Sequence, residues 1–221
     1  MSLDAPVVHG ADLADRLERL PVLKTEVVFK GMVWDVRRDT VDLGEAGEVR
    51  REYVDHPGAV GIVALREVES GDQVLLIQQY RHPVGAFEWE LPAGLLDVAG
   101  EQPWLAAARE LHEEADLVAG RWDVLTDFYG SPGGLSEALR IFLARDLLGV
   151  HHDDRFTREG EEHGMPVGWV DLDEAHEAVL AGRLHNPAAV VGILTAHASR
   201  ARDWTTLRPH DAPWPEHPAY R

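Results

Sequence analysis

The chain has 221 residues, no cysteine, and 39 acidic against 21 basic side chains, for a formal net charge of −18. That length suits one domain with a small addition, and the absence of thiols excludes disulfide scaffolds, thiolate metal sites and cysteine nucleophiles. So acidic a surface repels nucleic acid and anionic lipid, and no apolar run approaches the ~20 residues of a membrane span, so neither partner is expected.

Residues 11–20, ADLADRLERL, predict a short amphipathic helix. Residues 1–23 alternate charged and apolar positions without a signal peptide's continuous apolar stretch, so a cytoplasmic location is expected. Residues 24–43 predict two strands turning near Gly31, and GEVRREYVDHP predicts a third, ended by Pro57. AVGIVALRE (59–67) and DQVLLIQQYRH (72–82) are apolar enough for buried strands joined through Gly71-Asp72. FEWELPAG (87–94) is short and extended, with Pro92 and Gly94 forcing a loop. QPWLAAARELHEEADL (102–117) is the clearest helix, and its stripe Leu105, Ala108, Leu111 and Ala115 is expected to face the core. Strands near 122–129 and 138–146 follow, then a polar loop (151–166), the strand VGWVDL and two helices. The second of these opens with Asn186-Pro187 as N-cap and first-turn proline. The tail 205–221 reads as Pro-rich and irregular.

Strands before, between and after helices imply an α/β sandwich with a mixed sheet and a small β-rich segment at the N-terminus. The expected divisions are 1–56, 57–204 and 205–221. There is no G-x-G-x-x-G after a strand and no P-loop motif.

The helix at 102–117 carries Glu110, Glu113, Glu114 and Asp116 toward its C-terminal end. Glu110 and Glu114 share a face, with Glu113 beside them. Each like-charged pair costs roughly 0.2–0.5 kcal/mol, and the negative end of the helix dipole makes the crowding worse. A solvated acidic face is the plain alternative. Arg109 is expected to offset one acid only, so the pattern favours a bound hard cation such as Mg²⁺, which takes oxygen ligands.

Gly94, Glu101, Arg109, Glu110, Leu111, Glu113, Glu114 and Leu117 fit the pattern G-x5-E-x7-R-E-U-x-E-E-x-G-U, where U is bulky and aliphatic. The chain thereby resembles the Nudix hydrolases. It departs from the pattern twice: six residues rather than five separate Gly94 from Glu101, and Asp116 stands where the second glycine belongs. Asp adopts left-handed backbone more readily than most residues. YRH (80–82), WELPAGLLDVAGE (89–101) and SPGGLSE (131–137) are similar to ADP-ribose pyrophosphatases, as is Pro132, fifteen residues after Leu117.

The resemblance implies Mg²⁺, replaceable by Mn²⁺, held by Glu110, Glu114 and the Ala93 carbonyl, with Glu113 binding or supporting a second ion. It implies a general base among Glu161 and Glu162: Glu161 as base with Glu162 on the metal, or the reverse. Arg109 is expected to orient a glutamate, and Glu101 to cap the helix or support the metal. Arg81 would grip a phosphate or form a structural salt bridge. Glu90 would contact the terminal ribose or the metal's surroundings, and Trp34 would stack on adenine or serve the core or a dimer contact. The implied reaction is hydrolysis of ADP-ribose to AMP and ribose 5-phosphate. Its alternatives are another substrate such as ADP-glucose or NADH, or a ligand sensor without catalysis. A homodimer completed by the N-terminal strands is expected.

Overall fold

The computed structural model describes residues 3, 5–151, 153, 156 and 164–220. The chain first forms an antiparallel three-stranded sheet of β1 (Val22–Lys30), β2 (Asp35–Asp42) and β3 (Glu48–Asp55) in that order. The expected helix at 11–20 does not form. A single 3-10 turn occupies Gly10–Asp12, and Leu13, Leu17 and Leu20 are exposed. An isolated helix of that length is marginal in water without an apolar surface to pack on.

The second sheet contains β4 (Ala59–Val68), β5 (Gly71–Arg81), β6 (Ala86–Glu90), β7 (Ala93–Leu95), β8 (Leu117–Tyr129), β9 (Ala138–Gly149), β10 (Val167–Asp171) and β11 (Arg208–Pro209). Its order is β10-β5-β4-β9-β8-β11, with β6 paired to β5 and β7 to β4. The β4–β9 pair is parallel and the others are antiparallel, so the sheet is mixed.

Helix α1 (Pro103–Ala115) covers one face, and α2 (Leu172–Leu180) and α3 (Pro187–Arg200) lie on the other. Strand β4 shows why two layers are needed, because Ala59 through Leu65 are buried without a break. Val60, Ile62 and Ala64 join Ala106, Ala107 and Leu111 of α1 in one cluster. Val63 and Leu65 join Ala189 and Ile193 of α3 in the other. The Asn186 side chain accepts from the Ala189 N–H, capping α3 as its sequence predicts.

Strand β4 also changes partners along its length. Ala59–Gly61 pair with β7, while Leu65–Val68 pair with β5. The antiparallel β7 is thus laid against the start of β4, beside α1. Ala93 and Gly94 lie within this strand rather than in the expected loop. Among the described residues no helix is long and apolar enough to cross a membrane.

Candidate active site

Helix α1 ends at Asp116, which adopts φ 53° and ψ 39° and sends the chain straight into β8. This is the left-handed position expected where the signature has glycine. The buried stripe of α1 is rotated from the predicted one. Leu105 is 43% exposed, whereas Ala106, Ala107, Leu111 and Glu114 are buried. The small alanines let the helix approach the sheet, and the rotation brings Glu114 inward.

Glu114, only 7% exposed, accepts a hydrogen bond from the Ala93 N–H at 2.9 Å. That bond offsets part of the penalty of burying a carboxylate. The neighbouring Gly94 makes room for Glu110: a Cβ there would lie 2.0 Å from the Glu110 Cδ and Oε1. Strand β7 and helix α1 therefore meet through two glutamates.

Arg109 ties three acids together, not the one expected from sequence. Its Nε and one terminal nitrogen donate to the two Glu101 oxygens at 3.2 and 3.1 Å. The other terminal nitrogen donates to Glu110 at 2.7 Å and to Glu113 at 3.3 Å. The hydrogen bond to Glu101, with Glu110 adding to it, holds the Arg109 guanidinium above its ordinary pKa against the opposing effect of burial.

Arg81 grips Glu90 bidentately at 2.7 and 2.8 Å, and Glu90 is 3% exposed. The Arg81 pKa is raised, first by the hydrogen bond to Glu90 and then by the charges of Glu90, Glu114 and Glu88, with burial opposing. The two side chains proposed separately as substrate contacts thus engage each other, beside Glu114.

Trp34 is stacked on His56 with centroids 4.4 Å apart. His56 lines a cleft of about 890 Å³ between the N-terminal sheet, the loop around Pro132 and the C-terminal tail. Arg37, Asp39, Arg51 and Tyr53 also line it. Arg37 Nε and Asp39 Oδ1 are buried there and find no hydrogen-bond partner among the described residues. Sequence reasoning missed these four residues. Their one signal was charge on an amphipathic strand, which ordinary surface strands share. Glu161 and Glu162 lie outside the described residues.

Glu110, Glu113, Glu114 and the Ala93 carbonyl are all hard oxygen donors, the chemistry that suits Mg²⁺ or a similar divalent ion. Gly94 leaves room for the Glu110 carboxylate, one of these donors. Among the described residues no set of three acids or histidines converges as a ready shell.

A mixed sheet between helices, with the signature glutamates gathered on α1, defines the class of protein. Residues 55–190 match the NUDIX domain, and the chain belongs to that family. Nudix hydrolases generally use a divalent metal. The ADP-ribose pyrophosphatase of Mycobacterium tuberculosis is 41% identical over 196 residues, covering 89% of this chain and 91% of that protein. The ADP-ribose pyrophosphatase of Bacillus subtilis is 37% identical over 177 residues, covering 80% and 91% respectively. The crystal structure of an ADP compounds hydrolase superposes with a TM-score of 0.68, covering 86% of this chain and 98% of that one. Its 20% identity speaks to the shared fold alone.

Proposed function

We propose that this chain hydrolyses the pyrophosphate of ADP-ribose, giving AMP and ribose 5-phosphate, with Mg²⁺ as its ion. The observation that carries the reading is the meeting of β7 and α1, where Ala93 and Gly94 seat Glu114 and Glu110. The substrate follows from the two ADP-ribose pyrophosphatases that align over most of the chain.

Glu110, Glu114 and the Ala93 carbonyl would hold the cation, with Glu113 binding or supporting a second and Glu162 a further candidate ligand. When bound, Mg²⁺ supplies charge neutralisation at the diphosphate and a lowered pKa for the attacking water. Arg109 fixes Glu110 and Glu113, so their oxygens are placed before substrate arrives. Glu161 or Glu162 accepts the proton as the water oxygen attacks phosphorus and the bridging P–O bond breaks. Phosphoryl chemistry of this kind depends mainly on positioning and electrostatics, so no serine or cysteine nucleophile is needed. Arg81 stands beside Glu114, where its forked donors reach a phosphate if Glu90 shares them.

The 890 Å³ cleft is large enough for a nucleoside diphosphate sugar, and its lining side chains Arg37, Asp39, Arg51 and Tyr53 suit a polar occupant. Trp34 remains the candidate for stacking on adenine, and Glu90 for contact with the terminal ribose or the metal's surroundings. Strand β1 and its turn expose Leu23, Val27, Phe29, Met32 and Val33, an apolar surface suited to a second copy of the chain. A monomer mass by light scattering at micromolar concentration would remove the homodimer from this reading.

The test is AMP release from ADP-ribose, ADP-glucose and NADH, each with and without Mg²⁺. Preference for ADP-ribose that vanishes on chelation is expected. Faster hydrolysis of either rival would reassign the substrate, and no metal-dependent release from any of them would overturn the enzyme reading in favour of a sensor.

A further inference from the structure

The Pro-rich segment from 205 onward is anchored at both ends and touches the site. Its root is Arg140 on β9, a guanidinium only 2% exposed. Arg140 donates to Asp127 at 2.7 and 3.1 Å, to the Ala212 carbonyl at 2.7 Å and to the Pro213 carbonyl at 3.0 Å. Its guanidinium lies 4.7 Å from the Trp214 ring, which is itself buried. A buried cation satisfied in this way holds the tail against the sheet.

From Trp214 the tail reaches the active-site loop once directly and once through residues 57 and 58. The His217 Nδ1 accepts from the Ala219 N–H at 3.1 Å, and Nε2 lies 2.7 Å from the Pro57 carbonyl. A carbonyl only accepts, so Nε2 carries the hydrogen. Gly58 leaves space for this ring, since a Cβ there would lie 2.3 Å from the His217 Nε2. The Gly58 carbonyl in turn accepts from the Leu96 N–H at 3.1 Å, just past β7. The second contact is Tyr220, whose ring lies parallel to Trp214 and whose hydroxyl donates to the Glu101 carbonyl at 3.1 Å. Burial, and behind it the charge of Glu101, push the Tyr220 pKa up, so the hydroxyl keeps its proton at neutral pH.

The loop between these contacts, residues 96–101, carries the extra residue that separates Gly94 from Glu101. A longer loop has more conformations to lose, and the tail holds its far end directly at Glu101 and its near end through Pro57 and Gly58. We propose that Tyr220 is a positioning residue of the hydrolase. Its hydroxyl fixes the Glu101 backbone, Glu101 fixes Arg109, and Arg109 holds Glu110 and Glu113 where a divalent cation binds. This rests on the hydrolase reading above. A tail that served only to fill the core would need the Tyr220 ring but not its oxygen.

Tyr220→Phe separates the two roles because it keeps the stack on Trp214 and removes one hydrogen bond. Mn²⁺ binding, followed by electron paramagnetic resonance without substrate, should weaken about threefold to tenfold, at or below the lower end of the roughly 10–100-fold that losing an outer-shell contact costs a metal site. Amide exchange in residues 97–102 should quicken, and turnover at saturating Mg²⁺ should stay within about twofold of the parent. Tyr220→Ala, which loses the stack as well, should weaken Mn²⁺ binding at least as much. If Tyr220→Phe matches the wild type in Mn²⁺ affinity and loop exchange, the proposal is overturned, and loss confined to Tyr220→Ala assigns the tail to packing. Failure of the underlying hydrolase reading looks different: the wild type itself then releases no AMP from ADP-ribose at any Mg²⁺ concentration.

Discussion

Gly94→Ala is the sharpest perturbation of the site. The new methyl would sit 2.0 Å from the Glu110 Cδ and Oε1 and 2.4 Å from its Cγ. Restoring an ordinary contact of 3.4 Å moves that carboxylate by at least about 1.4 Å. The obstacle is the end of a flexible side chain rather than backbone, so Glu110 yields and the strand does not. Gly94 pairs regularly with Val60 in β7, and alanine in a strand is worth up to about 1 kcal/mol over glycine. The melting temperature should therefore hold or rise slightly. Activity should not, because a misplacement of about 1 Å can lower a rate roughly 100-fold, equivalent to about 2.7 kcal/mol. AMP release from ADP-ribose across an Mg²⁺ titration, beside a thermal melt, measures both quantities. Combined with Glu110→Gln, the alanine should add little further loss, since both changes act on one carboxylate. A folded Gly94→Ala enzyme within threefold of wild-type activity would refute the argument that this seat places Glu110 for catalysis.

Three further outcomes follow from the same contacts. Glu114→Gln keeps an oxygen to accept from the Ala93 N–H, so the fold should persist while Mg²⁺-dependent turnover falls by about a thousandfold or more; near-normal rates would remove Glu114 from the ligand set. Arg109→Lys preserves charge but loses the fork that reaches Glu101, Glu110 and Glu113 together, so half-saturation should need about tenfold more Mg²⁺; an unchanged requirement would show that the fork does not position these acids. Burial lowers the His56 pKa from its ordinary 6.5, outweighing the charge of Glu137, so His56 contributes stability above about pH 6.5 that is lost as pH falls through the folded value. The stability gap between wild type and His56→Asn, measured by urea unfolding, should narrow from pH 7.5 to 5; a widening gap would mean that attraction to Glu137 dominates.

The fold was most legible where periodicity and burial agree. Ala59–Leu65 is a continuous apolar run, and it became the strand covered on both faces. Asn186-Pro187 became a cap because its chemistry is local. The helix predicted at 11–20 had the right period and no surface to bury it, and a period cannot report that. On α1 the stripe through Leu105 and the one through Glu114 are both apolar enough to face inward. The second also meets the Ala93 N–H, which lies 21 residues from Glu114 in sequence. The tail was illegible for the same reason. Trp214 is buried because Arg140, on a strand far from it in sequence, offers donors to the carbonyls beside it.

The crowding of acids on α1 needs a more careful account than repulsion alone. Arg109 relieves two of them, Glu110 and Glu113, and the Ala93 N–H supports Glu114, so the folded chain does not require a cation merely to tolerate its own charges. The stronger argument concerns the substrate. Among the described residues around the site, the two guanidiniums of Arg81 and Arg109 face Glu88, Glu90, Glu101, Glu110, Glu113 and Glu114. A diphosphate brings further negative charge into that surplus, on a chain whose formal net charge is already −18. Arginine can orient these carboxylates, but two arginines cannot both neutralise six acids and attract an anion. Divalent ions can do both, since they place a double positive charge between the glutamates and the phosphates. On the proposed mechanism the arginines arrange the acids, and a divalent cation would allow the substrate to enter.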